Sequence, residues 1–367
     1  MRHPSTATLF GCLIIIVINL LGCRTPTPLP TPIPTATPSV PAPAAASPLP
    51  ANCPPACAGA NLRGLDLRGV DLRGANLQQA DLGEAHLQGA NLQDADLTGA
   101  SFVNADLFGA NLSRVKLDGS NWLGADVGSV NLSGVNFKNI NIKVDNTTHF
   151  DYKWYVVWAA VNQLAAGWTL RGADLTGANL DGADFSGANL LGANFAGASL
   201  VEANLSRTNL HAANLAGTPL TGADLSDAFL RAANLNGADL GQANLQQANL
   251  SATKLQGTQL SEANLLGVNL IEASLVGAGL SRANLRGADL RLADLTAATL
   301  TGVDLSRTDL RDANLSQANL TGADLFRADL HGVIIDDETT LDPTWQLVWE
   351  IIHRDNARRD LRGTDLS

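Results

Sequence analysis

Few residues in this chain are of a type that does chemistry, and their spacing brings few of them together. His86, His149, His211, His331 and His353 are scattered, and no two have the spacing of a metal-ligand pair. Cys53 and Cys57 stand in NCPPACAG with no histidine or further cysteine near enough to complete a zinc site. Outside a reducing compartment two such thiols pair, and a disulfide between Cys53 and Cys57 is the expected chemistry. Asp336, Asp337, Glu338 and Asp342 offer carboxylates to a cation, but without the ligand spacing of a calcium loop. Solvated charges at a helix start are the better reading of that run. No nucleophile elbow or phosphate loop occurs. No catalytic residues, metal or cofactor are therefore expected, and an enzyme is the least supported class.

The remaining candidate chemistry is repetitive, and it belongs to the element that positions it. From Leu170 to Leu330 a Leu or Phe returns every five residues, and two residues before it stands a small residue such as Ala173, Ala178, Ala183 or Ala188. A period of five fits neither a helix nor a strand and reads as an internal repeat. Residues two apart on an extended segment point to one side, so each unit is a very short strand with Leu and Ala inward and a polar corner after it. One unit cannot offset the ordering of its own backbone, and only a stack can fold. Gly-rich corners are turn chemistry and not phosphate cradles. Asp or Asn before each Leu, as at Asp174, Asp184, Asp224, Asp239, Asp289 and Asp329, lines one edge of every face with carboxylate or amide.

On these residues the chain resembles the pentapeptide-repeat family, whose motif is A(D/N)LXX. The resemblance covers about 250 residues, too many units for chance. It implies an all-β solenoid, a right-handed quadrilateral parallel β-helix with four pentapeptides per coil. At about 4.8 Å between paired strands, eight coils in the longer array would make a rod about 40 Å long. An α-solenoid is excluded by the recurrence of Asn, Asp and Gly.

Residues 1–22 read as a targeting segment. Arg2 gives the positive start, and Leu9 to Leu21 an apolar run of about thirteen residues, too short to span a bilayer. The run ends Leu20-Leu21-Gly22-Cys23, which looks like a bacterial lipobox with cleavage after Gly22 and lipid on Cys23. An ordinary secretory signal with a chance cysteine is the alternative. The linker, within 23–57, is rich in Pro and Thr, favours extended polyproline II and builds no core. From Arg24 to Pro50 it could reach roughly 80 Å.

Array one occupies 58–142, about seventeen repeats, and array two 170–335. Val130, Val135 and Ile140 bring bulk to the end of array one, as if that coil meets something else. Between the arrays, 143–169 carries Trp154, Val157, Trp158 and Val161 at helical spacing behind Asp151, an expected N-cap. The segment 336–367 repeats the pattern with Trp345, Val348, Trp349 and Ile352 behind Asp342 and Pro343. Each array is thus followed by a short amphipathic Trp-containing α-helix, expected to cover strand edges that an open solenoid leaves unpaired. The Trp residues are read as cap packing.

A net charge of -11 argues against a nucleic-acid binder. Some members of the family, the gyrase-protecting quinolone-resistance proteins, are read as duplex-DNA mimics. That mechanism needs a cytoplasmic target, and the export signal disfavours it. The expectation is a non-enzymatic scaffold or protein-binding module, anchored on the extracytoplasmic side of a bacterial cell envelope through lipid on Cys23. Its protein partner is left open, and a monomer is expected over an oligomer.

Overall fold

Residues twenty apart pair in parallel throughout both arrays, as in the run Asn204, Asp224, Asn244, Asn264, Asn284, Asp304 and Asp324. One coil is therefore twenty residues, four of the five-residue units, and the chain folds as an all-β solenoid. The computed structural model describes residue 49, residues 53–137 and residues 147–353, which lie in one compact unit. Gly22 and Cys23, with most of the linker, lie outside the described residues, as do Ile140 and residues 354–367. The side chains of Ile352 and His353 are likewise not described. Among the described residues no helix is long and apolar enough to cross a membrane.

Why five residues suffice is visible in the unit 224–228, where every backbone N–H has an acceptor. Asp224 donates to the Ala203 carbonyl of the preceding coil at 2.9 Å, and Leu225 to Asn244 of the next at 2.7 Å. Asp227 donates to Gln246 at 2.9 Å, and Ala228 closes a tight turn onto Leu225 at 3.1 Å. That leaves Ser226, whose N–H has no backbone partner and donates instead to Oδ1 of Asp224 at 3.0 Å. The second corner residue sits in the left-handed region, with φ +64° at Gly177 and +56° at Asp227. Glycine enters that region freely, whereas a side chain there costs about 1–2 kcal/mol.

The interior follows the pattern of the sequence. Leu180, Leu205 and Leu230 have no exposed surface, and neither have Ala183 and Ala203 between them. Where Thr replaces Ala, its hydroxyl donates to a Leu carbonyl, as Thr258 does to Leu235 at 2.8 Å and Thr308 to Leu305 at 2.7 Å. A hydroxyl buried there without such a bond would cost stability.

The arrays are joined by an insertion that changes the offset. Strand β1 (Asp126–Val127) pairs with β2 (His149–Phe150), so Asp126 faces His149 and the step is 23 residues instead of twenty. Helix α1 (Tyr152–Val161) follows at once and buries Trp154, Val156, Val157, Ala159, Ala160 and Val161. It has a coil on each side. Trp154 Nε1 donates to the Val130 carbonyl of array one at 3.1 Å, and the Ala160 carbonyl accepts the Asp184 N–H of array two at 2.9 Å. Beside the helix the arrays touch directly, with the Gly134 N–H on the Gly177 carbonyl at 3.1 Å. Helix α2 (Pro343–His353) lies over the last coil, with Trp345 and Trp349 against Leu315, Leu320 and Leu330. The bridge ladder opens at Ala56 and closes at Thr340, where the offset from Asn319 is one residue longer than elsewhere.

The two helix starts correct one expectation. Asp151 occupies the N-cap position of α1 but makes no side-chain bond to the helix. Its carboxylate accepts the N–H of Ser129 at 2.9 Å, and the Asp342 carboxylate accepts that of Gly322 at 3.1 Å. Ser129 and Gly322 are second-corner residues of a last coil, whose N–H would otherwise meet the carbonyl of a coil that is not there. An unpaired N–H at a coil edge is the stronger demand than a helix terminus open to water.

Two stability outcomes follow from this geometry. Ala188→Leu should destabilise the chain from Ala51 onward by about 1–3 kcal/mol through overpacking, and Gln247→Ala on the surface should be near neutral. Equal melting shifts for the two would show that inside and outside are misassigned. Asp151→Ala should cost about 1 kcal/mol by stranding the Ser129 N–H. If Asp151 served only to start the helix, Asp151→Ser would restore the melting temperature; a bond specific to the coil edge predicts that it does not.

Candidate functional site

Two features of the surface are candidates for function: the flat faces and the seam between the arrays. On the faces, the Asp/Asn column is bound into the fold. Besides closing its own turn, Asp224 Oδ1 accepts the Asn244 amide at 3.0 Å. Asn264 then donates to Asn244 at 2.9 Å, and Asn284 to Asn264 at 3.3 Å. Further amide ladders join Asn91, Asn111 and Asn131, and Asn194, Asn214 and Asn234. At two positions where the column lacks Asp or Asn, the corner N–H finds an acceptor one coil away, Val201 on Asp181 and Gln256 on Asn236.

One face of array two carries alternating charge. Arg291 pairs with Asp289 at 2.7 Å and reaches Asp309 at 3.6 Å, and Arg311 pairs with Asp309 and reaches Asp329 at 3.7 Å. His331 ends the row, its Nδ1 at 2.6 Å from Asp329. The hydrogen bond from Arg311 holds the Asp309 carboxyl below the usual carboxylate range, and that from His331 does the same for Asp329. In this row Asp289 and Asp309 are balanced by Arg291 and Arg311. In the acidic run, Asp336 accepts the N–H of Gln317 at 2.9 Å and of Glu338 at 3.1 Å, and the Gln317 bond leads in lowering its pKa. Its exposed carboxylate thus also fastens a coil edge, and among the described residues no cluster is arranged to hold a metal ion.

The seam was not foreseeable from the repeat. There an open cleft of about 540 Å³ is lined by Ser129, Asn131, Ser133, Asp151, Lys153 and Thr176, with Trp154 at its base. Lys153 Nζ donates to Thr176 Oγ1 at 3.0 Å and lies 4.9 Å from the centre of the Trp154 ring. Burial lowers the Lys153 pKa, while Asp174 and Asp151 oppose the shift by favouring the ammonium. With the Lys153 Nζ–Thr176 bond above the Trp154 ring, the cleft offers a polar binding surface beside an aromatic side chain. Nothing in the sequence marks Lys153, Ser133 and Thr176 as neighbours, because they come from three different elements.

The residues singled out from the sequence are placed as follows. Cys53 and Cys57 are joined by a disulfide beside the first coil. Trp154 is buried, its ring centroid 6.3 Å from that of Phe137, and Trp158 is half-buried with its centroid 6.2 Å from that of Tyr155. Trp349 donates from Nε1 to the Val333 carbonyl at 3.2 Å, and Trp345 is half-buried against the same end. His149 lies 2.8 Å from Asp126, His86 is exposed, and His211 is half-exposed on its corner.

The family model for pentapeptide repeats matches from residue 57 to 143 and from residue 169 to 332 in overlapping blocks. The chain belongs to the pentapeptide-repeat family. Among solved structures it is similar to HetL, a pentapeptide-repeat protein involved in heterocyst differentiation regulation in the cyanobacterium Nostoc sp. strain PCC 7120. Identity is 28%, over 73% of this chain and 86% of that one, with a TM-score of 0.22. A pentapeptide-repeat protein from the Arabidopsis thaliana thylakoid lumen is 29% identical over 38% of this chain and 70% of its own, with a TM-score of 0.13. QnrB1, a plasmid-mediated fluoroquinolone resistance protein, is 17% identical over 73% and 97%, with a TM-score of 0.24. No curated protein matches.

The face carboxylates give a pH prediction. Burial tends to raise the Asp96 pKa, but bonds from Thr98, Gln78 and Lys116 outweigh it and bring the value from 3.8 to about 2. A carboxyl depressed on folding contributes stability above its unfolded value and loses it as pH falls through the folded value. Melting temperature should therefore drop between about pH 4 and pH 2. Asp96→Asn, which keeps the turn acceptor, should lose less over that window; an identical acid limb in the variant would show that Asp96 titrates normally.

Proposed function

We propose that this pentapeptide-repeat chain is a non-enzymatic scaffold, tethered to a membrane of a bacterial cell envelope through lipid on Cys23 and presenting its rigid faces to a protein partner. The observation that carries the scaffold reading is the engagement of the surface itself. Turn-closing oxygens, amide ladders and the Arg/Asp row hold the polar side chains of the faces in fixed positions. A surface already ordered loses little entropy when a partner docks on it, which favours binding by preorganisation. The tether rests on the short apolar run ending in Leu-Leu-Gly-Cys and the Pro/Thr-rich stretch after it, which would hold the folded module off the bilayer. Duplex-DNA mimicry has less support. Besides the export signal, Asp289 and Asp309 are paired with Arg291 and Arg311, so this row presents alternating charge and not a continuous acidic strip.

Cys23→Ala should move the protein out of the membrane fraction and block lipoprotein processing. Retention in the membrane with normal processing in that variant would remove the tether from the reading. Several acyl chains, as lipoproteins of this type carry, would make retention firm where one chain is marginal. Crosslinking in intact cells, followed by purification on the fragment after Pro50, should recover envelope proteins; enrichment of cytoplasmic proteins alone would overturn the scaffold's location.

A further inference from the structure

Lys153 is unlike the other lysines that the structure describes. Lys116 is ion-paired with Asp96 at 3.3 Å, and Lys254 is exposed on a face. Lys153 is half-buried in the seam cleft, and among the described residues it forms no ion pair. Its Nζ is held from two sides, by Thr176 Oγ1 at 3.0 Å and by the Trp154 ring, whose centre is 4.9 Å away. The bond to Thr176 uses one N–H, and no other protein acceptor for Nζ occurs among the described residues.

The walls around this donor are fixed in both arrays. The Trp154 indole N–H is fastened to Val130, the Asp151 carboxylate to Ser129, and Gly134 to Gly177. Gly177 is pressed so close that a Cβ there would lie 2.8 Å from Ser133 Oγ. Walls tied in this way need no ordering by a ligand, which favours binding.

The lining selects the class of ligand. At about 540 Å³ the cleft has the size of a small-molecule site, but it is polar and open where such sites are mostly apolar and enclosed. Asp151 lines it, and both Asp151 and Asp174 act on Lys153, so one lysine set against two carboxylates does not make an anion site. Nor does the cleft suit a cation, because Lys153 already stands beside those carboxylates. A neutral ligand whose groups both donate and accept meets every demand, and hydroxyls on a rigid ring are such groups. One can accept from Lys153 Nζ while its neighbour donates to Asp151, whose Oδ2 holds the Ser129 N–H and whose Oδ1 has capacity left. The hydroxyls of Ser129 and Ser133 make no hydrogen bond among the described residues and add partners that can act in either sense.

We propose that the seam cleft binds a neutral saccharide, with Lys153 Nζ donating to one ring hydroxyl and Asp151 accepting from another. The site stands apart from the tether and from the partner of the faces, since every residue in it belongs to the seam.

Ligand-detected saturation-transfer NMR on the full chain, in a detergent without a sugar headgroup, tests this. The probes are maltose, cellobiose and N,N′-diacetylchitobiose, with acetate and methyl phosphate as anions. At least one disaccharide should bind, with a dissociation constant on the order of 1 mM, as expected of a cleft that encloses its ligand only in part. Lys153→Met should weaken that binding about tenfold, the worth of one well-placed hydrogen bond, and Lys254→Met on the open face should leave it unchanged. Thr176→Val, which keeps the lysine but removes the hydroxyl that holds it, should weaken binding as well, and it decides the case if Lys153→Met melts at a lower temperature. Binding of no disaccharide overturns the proposal. So does disaccharide binding that Lys153→Met leaves intact or that Lys254→Met weakens equally, and binding of the anions alone would make the cleft an anion site instead.

Discussion

The structure depends on one bond in five. In a unit inside the stack four backbone N–H groups find carbonyls, three in neighbouring coils and one across the turn, and the first corner N–H finds none. In the unit at 224–228 that donor is met by the side chain of Asp224. A buried or edge N–H without an acceptor costs about 1–3 kcal/mol, and the demand recurs in every unit of both arrays. It explains why Asp and Asn dominate the position before Leu, since their oxygen reaches the N–H two residues on without disturbing the backbone. It also explains the exceptions: at Ser199 and Lys254 the corner N–H borrows Asp181 or Asn236 from the coil before.

The same accounting governs where the stack stops. A coil with no successor has corner N–H groups with no carbonyl to meet, and its Leu ladder opens to water. Aspartate answers the first problem at both interruptions, through Asp151 on Ser129 and Asp342 on Gly322, and a Trp helix answers the second. Because the first interruption is internal, α1 is packed from both sides, and the cleft at Lys153 lies where the step between coils is 23 residues. The concave polar surface among the described residues of the seam thus lies where two regular stacks are joined.

This has a bearing on electrostatics. A net charge of -11 suggests an acidic rod. Many of its carboxylates are at the same time fixed by backbone N–H groups, amides or guanidinium groups, as at Asp224, Asp96 and Asp309. What the faces offer a partner is a lattice of fixed polar groups at the spacing of the coils, with charge alternating along the Arg291 and Arg311 row.

The sequence alone determined the repeat, its inward Leu and Ala columns, the family and the place of both Trp helices, because each rests on contacts between a residue and its equivalents at a constant step. Such periodic contacts leave a periodic record. The direction in which Asp151 and Asp342 turn their carboxylates left none, since the helix start and the coil edge are both plausible acceptors' sites and only their relative placement decides. The seam was illegible for a similar reason. Ser133, Lys153 and Thr176 meet across an offset that differs from the repeat, and no local pattern encodes it. Only the tertiary structure settled how α1 is covered, because the burial of Val156 depends on coils lying on both sides of that helix.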